Sequence, residues 1–552
     1  MNFNRFFNFQ SKTVGSAAGI LAFAVLISHL LGLIRDRLLA GAFGAGAQLD
    51  IYFAAFRIPD LVYNILFAGS IIVAFLPLFS EYYTKNKQEG WEMANYVLNS
   101  FLFFFFLIIL ILFIFTPQLI ELIVPGFSLE SKAAAVALTR LMFLSPLFLG
   151  LSSLFSAILH YFNRFLVYSL APILYNLGII FGILVLAPRF GVFGVGWGVV
   201  LGAAFHLIVQ IPSAKGCGLK YRPLFNLRNP AIWRLFKLVI PRTIAATASQ
   251  INFIVITILA STIGAGAVAI FNLSNNLRYF PVGVLGVSFA TAAFPLLSKN
   301  WTLGKKEEFF KNFSSIFRQI LYLAIPVSLL VFLLKTQIVK IILETGRFSL
   351  EDVKLTAACL GIYSFSIFAQ CLAPLILRGF FSLQDTKTPT LIALAFLVLN
   401  IILCFSFIHL LNFENPFSEF LRNTFSLEGI ESFPVLGLSL AFSIGLLFEF
   451  LLLLIFFCKK VGDFGIKEIG SSFSKIIAGT LFMGLGVHLA LKKTIFFLDT
   501  QTPGGIFLEF LIVFLLAIFI YFLITLFLKS PEIKALKSFI AKQFKNYGRK
   551  SN

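Results

Sequence analysis

The chain has 552 residues, of which 59% are hydrophobic and only 12% are charged, and its mean hydropathy is +0.94. Soluble domains are about 45–50% apolar and about 25% charged, so this composition excludes an ordinary soluble domain and predicts an all-α, polytopic membrane protein. The formal net charge is +20, but Lys and Arg gather in short loops, a pattern that favours cytoplasmic loops over a nucleic-acid partner.

Apolar segments long enough to cross a bilayer recur along the chain, because about 20 helical residues span a ~30 Å hydrocarbon core. The second, eighth and tenth segments run long and contain Pro or Gly, which predicts kinked or broken helices. We predict about 14 transmembrane helices, with boundaries accurate to about two to four residues, at 14–34, 48–80, 95–117, 133–159, 165–187, 191–212, 238–262, 266–297, 314–334, 354–381, 388–411, 433–458, 471–491 and 505–528.

Alternate loops differ in charge, which predicts the orientation of the chain. One set is rich in Lys and Arg, whereas the 412–432 loop has Arg422 alone against four glutamates. This bias predicts a multi-pass membrane protein with both termini in the cytoplasm. The segment 529–552 reads as a basic amphipathic helix, which either lies on the anionic inner leaflet or is a solvated tail.

An internal repeat predicts two lobes. The sequence "AFLPLFSEYY" (74–83) is echoed by "AAFPLLSKNW" (292–301), and each closes a long, proline-containing segment. An even number of segments separates the two, so the repeats share one orientation and are related by a pseudo-twofold axis along the membrane normal. The predicted domains are two six-helix lobes, a C-terminal helix pair and a tail, at 1–230, 231–460, 461–528 and 529–552.

Charged residues interrupt the apolar sequence at "HLLGLIRDRLLAGAFGAGAQLDIYFAAFRIPD" (29–60). A charge inside the bilayer costs at least ~2.5–3.5 kcal/mol, so it normally faces a wet cavity or a partner. We predict that Arg35 and Arg57 here, with Arg242 and Arg278 in the second lobe, line one crevice between the lobes. Several cations with few acidic partners indicate an anionic substrate such as a phosphate or a carboxylate.

Structural roles are the alternative for the same residues. Arg35 could anchor at the interface. Asp36, Asp50 and Asp60 could neutralise arginines or cap helix ends. Asn276 is either a helix–helix contact or a substrate contact, and His29 shares a helical face with Asp36. The sequence carries no motif for hydrolysis or ATP-driven pumping, so we predict a transporter rather than an enzyme, with no cofactor and no metal site.

Several motifs make the chain similar to the MurJ/MviN-type lipid II flippases of the multidrug/oligosaccharidyl-lipid/polysaccharide exporter superfamily. The matching stretches follow one another in the family's order and cover most of the chain. They are "LGLIRDRLLAGAFGAGAQLD" (31–50), "FRIPD" (56–60), "AFLPLFSEY" (74–82), "VPGF" (124–127), "LHYFNRF" and "APILYN" (159–176), "SQINF" (249–253), "FPVGVLGVSFATAAFPLLSK" (280–299) and "GFFSLQDTKTP" (379–389).

The resemblance implies a fourteen-helix, two-lobed fold and a function. The function is the movement of lipid II, the undecaprenyl-linked peptidoglycan precursor, from the inner to the outer leaflet by alternating access. It also implies a lipid-tail groove beside the last two helices, and we expect a monomer that contacts lipid II and membrane lipids.

The family pattern matches this chain only in part. Of three cavity arginines in the first two helices, only Arg35 matches, because the other positions hold His29 and Tyr63. The family's arginine in the eighth helix falls at Asn276, whereas Asp36 and Asp50 match. We therefore assign substrate binding to the eight polar residues His29, Arg35, Asp36, Asp50, Arg57, Arg242, Asn276 and Arg278.

Three other functions stay open at this stage. They are export of another undecaprenyl-linked oligosaccharide, a non-transporting scaffold for wall synthesis, and a membrane-embedded glycosyltransferase that uses glutamates of the 412–432 loop.

Overall fold

The computed structural model describes residues 14–66, 70–494, 497–499 and 502–533, and all regular secondary structure in these ranges is helical. Two π-helical turns, Gly182–Leu186 and Val282–Val287, interrupt the α-helices. The α-helices are α1 (Val14–Phe43), α2 (Ala47–Leu66), α3 (Ser70–Lys85), α4 (Lys87–Ile123), α5 (Leu129–Met142), α6 (Leu144–Tyr161), α7 (Phe165–Phe181), α8 (Ala187–Phe190), α9 (Val192–Ile208), α10 (Ile211–Gly216), α11 (Pro230–Ser261), α12 (Ala267–Pro281), α13 (Ser288–Thr302), α14 (Lys306–Leu333), α15 (Lys335–Leu343), α16 (Leu350–Ser382), α17 (Lys387–Leu411), α18 (Pro416–Phe425), α19 (Val435–Val461), α20 (Ile466–Thr494) and α21 (Pro503–Phe527).

The length and apolar character of these helices confirm the predicted all-α membrane fold. Within the described ranges, 11 helical segments are long and apolar enough to cross a bilayer, and Thr247–Ser261 is a shorter apolar helix. Helices suit this environment because every backbone N–H and C=O is satisfied within the segment. The number 14 stays a prediction.

The three long segments behave differently. The second contains α2 and α3, and the residues between them, 67–69, lie outside the described ranges, so its predicted kink stays a prediction. The eighth passes from α12 through the π-helical turn into α13, and Ser288 Oγ donates a 3.1 Å hydrogen bond to the Gly283 carbonyl there. Pro281 lacks an N–H, which disturbs the α-helical hydrogen bonding at this point. The tenth, α16, runs unbroken past Pro374.

The chain divides into two compact units. The first comprises Met1–Ala269 with Thr345–Ser349, and the second comprises Ile270–Glu344 with Leu350–Asn552. Helix α11 belongs to the first unit in this division. The predicted boundaries at 230 and 460 follow from the sequence repeat, which the division into units does not test, so they stay a prediction.

Close helix contact and aromatic packing hold the first unit together. Glycines of α7 and its π-helical turn lie directly against glycines of α9, where a Cβ on Gly178 would come within 2.3 Å of the Gly202 Cα. At one end of the same unit, Phe79 packs against Trp91 and Tyr161 with ring centroids 5.3 and 5.1 Å apart. Contacts of this kind supply dispersion energy where lipid removes the hydrophobic drive between helices.

The second unit packs its last helix through hydroxyl groups as well as apolar contacts. Tyr521 on α21 donates a 2.7 Å hydrogen bond to the Tyr322 carbonyl on α14, and the Tyr322 hydroxyl lies 3.0 Å from Thr525 Oγ1. Beyond α21, Glu532 is buried and accepts a 2.8 Å hydrogen bond from Ser472 Oγ. The remainder of the predicted tail, 534–552, lies outside the described residues.

Candidate functional site

Arg35 lies on α1 in the first unit, and its charge is balanced by its neighbour. Arg35 Nη2 and Nε donate to Asp36 Oδ1 over 2.8 and 3.0 Å. The Asp36 side chain is only 4% exposed, whereas that of Arg35 is 23% exposed. A guanidinium that donates twice to one carboxylate oxygen has most of its charge neutralised.

Asn176 on α7 fixes the third direction of the Arg35 guanidinium. Arg35 Nη1 donates to Asn176 Oδ1 over 3.3 Å. The amide nitrogen of Asn176 donates in turn to Ser28 Oγ and to the Pro172 carbonyl over 3.2 and 3.1 Å. Because the amide nitrogen is committed to these acceptors, the amide oxygen must face Arg35. Asn176 was not among the predicted site residues, although it closes the "APILYN" motif.

Arg57 on α2 is held by α11 of the same unit. Arg57 Nε donates to Thr257 Oγ1 over 2.7 Å, and its guanidinium carbon lies 5.6 Å from the Phe253 ring centroid. Asp60, one turn further along α2, interacts electrostatically with both Arg57 and Arg35. Arg35, Asp36, Arg57 and Asp60 therefore form one group of charges in the first unit. The sequence had already suggested that Asp60 could neutralise a neighbouring arginine, whereas Thr257 was not predicted.

Asp50 is engaged with backbone groups. Its side chain is buried, and its carboxylate accepts hydrogen bonds from the Gly266 and Ala269 N–H groups over 2.6 and 2.7 Å. These N–H groups stand at the start of α12, where a carboxylate is favoured by the helix dipole. Gly266 has φ +89°, and a Cβ there would lie 2.0 Å from the Ala45 carbonyl oxygen. The contacts fit the alternative capping role, while a role in substrate binding stays a prediction.

Arg278 on α12 is a buried cation of the second unit. It is 4% exposed, and Nη1 and Nη2 donate to Gln370 Oε1 and Asn275 Oδ1, each over 2.5 Å. Its guanidinium carbon also lies 5.2 Å from the Tyr363 ring centroid and 4.8 Å from that of Phe442. Among the described residues, no carboxylate pairs with Arg278, and its Nε has no acceptor.

A hydrogen-bond chain on α16 orients the amide that receives Arg278. Gln370 Nε2 donates to Ser366 Oγ over 2.8 Å, and Ser366 Oγ donates to the Tyr363 carbonyl over 2.9 Å. The amide oxygen of Gln370 is thereby directed at the guanidinium. Gln370 is buried and was not predicted, because glutamine in a long apolar segment is also compatible with helix–helix contacts.

His29, Asn276 and Arg242 are the remaining residues predicted to bind substrate. His29 and Asn276 are half-buried on α1 and α12. Arg242 is on α11, and its side chain lies outside the described part of the chain. Their roles in substrate binding, and the convergence of the four arginines on one crevice, stay predictions.

The two charged sites differ in what they can do chemically. In the first unit a carboxylate, Asp36, pairs with Arg35, whereas in the second unit Arg278 lies among neutral amides and aromatic faces. Amide dipoles and aromatic rings stabilise a guanidinium but leave its full positive charge. Such a site has the electrostatics of a phosphate- or carboxylate-binding position.

Comparison with known proteins identifies relatives over most of the chain. The family described as "Lipid II flippase MurJ" matches residues 39–507. The probable lipid II flippase MurJ of Buchnera aphidicola subsp. Acyrthosiphon pisum is 31% identical over 380 residues, which cover 68% of this chain and 74% of the relative. The lipid II flippase MurJ of Burkholderia cenocepacia is 29% identical over 387 residues, with 68% and 74% covered.

Solved structures agree with this assignment. A lipid II flippase MurJ in an inward closed conformation superposes with a TM-score of 0.74 and 25% identity, covering 92% of this chain and 97% of that one. An inward-facing MATE family transporter of the MOP superfamily reaches a TM-score of 0.62 at 13% identity, covering 81% and 98%, and so shares the fold. The chain is a multi-pass membrane protein with a transporter fold, and it belongs to the MurJ family of lipid II flippases.

Proposed function

We propose that this protein flips lipid II, the undecaprenyl-linked peptidoglycan precursor, from the inner to the outer leaflet of the bacterial cytoplasmic membrane. The observation that carries the proposal is the buried Arg278 guanidinium, which is held by neutral amides and has no carboxylate partner among the described residues. The headgroup of lipid II is attached through a pyrophosphate, and a guanidinium recognises phosphate oxygens through charge-assisted, bidentate hydrogen bonds.

Transport by alternating access needs cations that hold the polyanionic headgroup and then release it. A site in which Asp36 already shares Arg35 binds such a headgroup more weakly than an unshared guanidinium would. Reversible binding of this strength suits transport, because a cargo that is bound too tightly is not released. The protein acts as a transporter rather than an enzyme, as a monomer without a cofactor or a nucleic-acid partner, and both termini lie in the cytoplasm.

The direct test is rescue of bacteria that are depleted of their own lipid II flippase. The natural chain should restore growth and the amount of lipid II exposed on the outer leaflet. The double variant Arg35→Ala/Arg278→Ala should fail in both measurements although it is present in the membrane. The matched control Arg189→Ala/Lys299→Ala, which removes two exposed cations, should rescue fully. Undiminished transport by the Arg35/Arg278 variant would contradict the proposal.

A second candidate is export of another undecaprenyl-linked oligosaccharide. It is favoured by three positions where family members carry cavity arginines and this chain has His29, Tyr63 and Asn276. In the same depleted cells, failure of the natural chain to expose lipid II, together with export of a different lipid-linked glycan, would favour this candidate. A non-transporting scaffold would instead tolerate the loss of Arg35 and Arg278.

A further inference from the structure

The segment 217–229, which connects α10 to α11 in the first unit, has no regular secondary structure, yet it is held firmly. We call it the connecting loop. Asn95 on α4 is 1% exposed; its amide nitrogen donates to the Lys220 carbonyl over 3.0 Å and its oxygen accepts from the Arg222 N–H over 2.8 Å. One turn further along, Asn99 Nδ2 donates to the carbonyls of Arg222 and Leu224 over 2.9 and 3.0 Å. The loop is therefore fixed along the side of α4 by its backbone.

The position of this clamp on α4 places the loop at the edge of the hydrocarbon. The uninterrupted apolar run "SFLFFFFLIILILFIF" begins at residue 100, directly after Asn99. Phe225 at the far end of the loop packs on Phe103, with ring centroids 5.2 Å apart, and the two side chains are 50% and 47% exposed. At 1.5 Å per helical residue, Phe103 lies about 6 Å beyond Asn99, inside the apolar run.

Cations and aromatic rings alternate on the outer side of the loop. Lys220, Arg222 and Arg228 are exposed. Tyr221 is 63% exposed, and its hydroxyl donates to Asn99 Oδ1 over 2.9 Å. Trp233, at the start of α11, is 56% exposed and donates from Nε1 to the Leu227 carbonyl over 2.8 Å.

We propose that the connecting loop is a binding surface for the headgroups of anionic phospholipids. Phe225 enters the acyl-chain region beside Phe103, Tyr221 and Trp233 lie at headgroup level, and Lys220, Arg222 and Arg228 contact lipid phosphates. Exposed aromatic rings at the boundary of an apolar segment are typical of membrane-interface belts, and basic groups beside them recognise negative lipid headgroups. Phe225 is exposed yet packs on Phe103 inside the apolar run of α4, a contact that a loop surrounded only by water does not need.

Charge complementarity selects an anionic lipid as the partner. Among the described residues, the one carboxylate within 4 Å of these three cations is Glu92, at 3.9 Å from Arg222. The loop therefore presents a net positive surface at the level where lipid phosphates lie. This site is separate from the transport cations, and it would bind resident lipid whether or not the proposed cargo is correct.

The binding test uses the full chain in neutral detergent, titrated with phosphatidylglycerol or with phosphatidylcholine and followed by native mass spectrometry. In the triple variant Lys220→Gln/Arg222→Gln/Arg228→Gln, the apparent Kd for phosphatidylglycerol should rise by about tenfold or more, since each basic group near an anionic surface contributes about fivefold. The charge-matched control Lys299→Gln/Lys311→Gln/Lys467→Gln, which removes three other exposed lysines, should change it by less than about twofold.

Equal effects of the two triple variants, or no effect of the loop variant, would overturn the proposal. Binding of phosphatidylcholine should respond to neither variant. The backbone clamp by Asn95 and Asn99 does not involve the substituted side chains, so the loop variant should melt at the temperature of the natural protein.

A depth measurement tests the anchor independently in vesicles that contain phosphatidylglycerol. The added fluorescence of Phe225→Trp should be quenched by lipids brominated in their acyl chains, whereas that of Lys220→Trp should be quenched by acrylamide in the water phase. Equal acrylamide quenching of both tryptophans would show that the loop does not enter the bilayer.

Discussion

Arg35 in the first unit and Arg278 in the second are both arginines of apolar helices, but their charges are balanced in different ways. Arg35 shares its charge with Asp36 over 2.8 Å and keeps 23% of its side chain exposed. Arg278 is 4% exposed and donates to the amides of Gln370 and Asn275. Arg35 is one partner of an ion pair, whereas Arg278 is a cation that hydrogen bonds to neutral side chains of the protein.

The difference shows that a buried cation can be held by neutral groups without an acid beside it. An ion pair removes the net charge that a phosphate would sense, whereas amide dipoles stabilise a cation and leave that charge in place. In the first unit Arg35 therefore shares its charge with a carboxylate, whereas Arg278 in the second unit keeps its positive charge among neutral groups. The predictions below alter one side of this comparison at a time.

Replacement of Arg278 should have the largest effect. In Arg278→Met, transport of the proposed cargo should fall by about ten- to a hundredfold, because a hydrogen bond to a charged group contributes ~1.5–3 kcal/mol. The melting temperature should stay constant or rise, because an apolar side chain replaces a buried charge. Reconstituted transport and thermal unfolding measure the two effects, and Arg278→Lys serves as the control that keeps the charge without the fork. Normal transport by Arg278→Met would contradict a role of the Arg278 charge in binding the proposed cargo.

Removal of the Asp36 carboxylate should make the surroundings of Arg35 resemble those of Arg278, which has no carboxylate partner among the described residues. Asp36→Asn leaves Arg35 without its carboxylate, which should lower the free energy of unfolding by about 1–3 kcal/mol. The double variant Arg35→Met/Asp36→Asn should recover at least about 1 kcal/mol of that loss, because the unpaired charge is gone. A double-mutant cycle on thermal or denaturant unfolding measures the coupling. Strict additivity would mean that the observed pair contributes nothing.

The orientation of Arg57 should matter less. In Thr257→Val, Arg57 Nε loses the acceptor at 2.7 Å while the volume of the side chain is nearly kept. The free energy of unfolding should fall by about 0.5–1.5 kcal/mol, and transport should fall in the same proportion if Arg57 contacts the cargo. Thr262→Val, also on the α11 side of the first unit, is the control, because its hydroxyl bonds only the Leu259 carbonyl. Equal effects of the two variants would remove Arg57 from the site.

The ion pair between Asp385 and Lys460 should contribute the smallest stability change, and it serves as a reference for the Arg35–Asp36 pair. Asp385 accepts hydrogen bonds from Lys460 Nζ over 2.5 Å and from Thr388 Oγ1 over 2.7 Å. Burial raises the pKa of Asp385, but the bonds from Lys460 and Thr388 outweigh it and lower that pKa from 3.8 to about 2. The pair therefore stabilises the fold above pH 3.8, and this contribution is lost as the pH falls toward 2.

Lys460→Met should return the pKa of Asp385 toward its ordinary value and lower stability by about 1 kcal/mol or less, since Lys460 is partly exposed. The melting temperatures of variant and natural protein should differ at pH 5 and converge near pH 2. Lys459→Met, on the neighbouring exposed lysine, should show no such convergence. An unchanged difference at both pH values would contradict the paired state of Asp385.

Some site residues could be predicted and others could not. Arg35, Arg57 and Arg278 stand out because a charge in an apolar helix is costly and therefore conspicuous. Several of their neutral partners are distant along the chain: Asn176 lies 141 positions from Arg35 and Gln370 lies 92 positions from Arg278. An amide in a long helix has no signature that separates a helix–helix contact from a guanidinium acceptor. Thr257 was missed because a threonine in a long helix is equally unremarkable, and it lies 200 positions from Arg57.

By itself, the sequence determined that this chain folds as apolar helices in a membrane. Lipid offers no hydrogen-bond partners, so about 20 consecutive apolar residues must satisfy their backbone within a helix wherever they occur. It also determined which cations are exceptional. Only the tertiary structure decided that Asn176 holds Arg35, that Asp50 caps α12 and that Gln370 receives Arg278. Those outcomes depend on groups that are remote along the chain and become neighbours only when the helices pack.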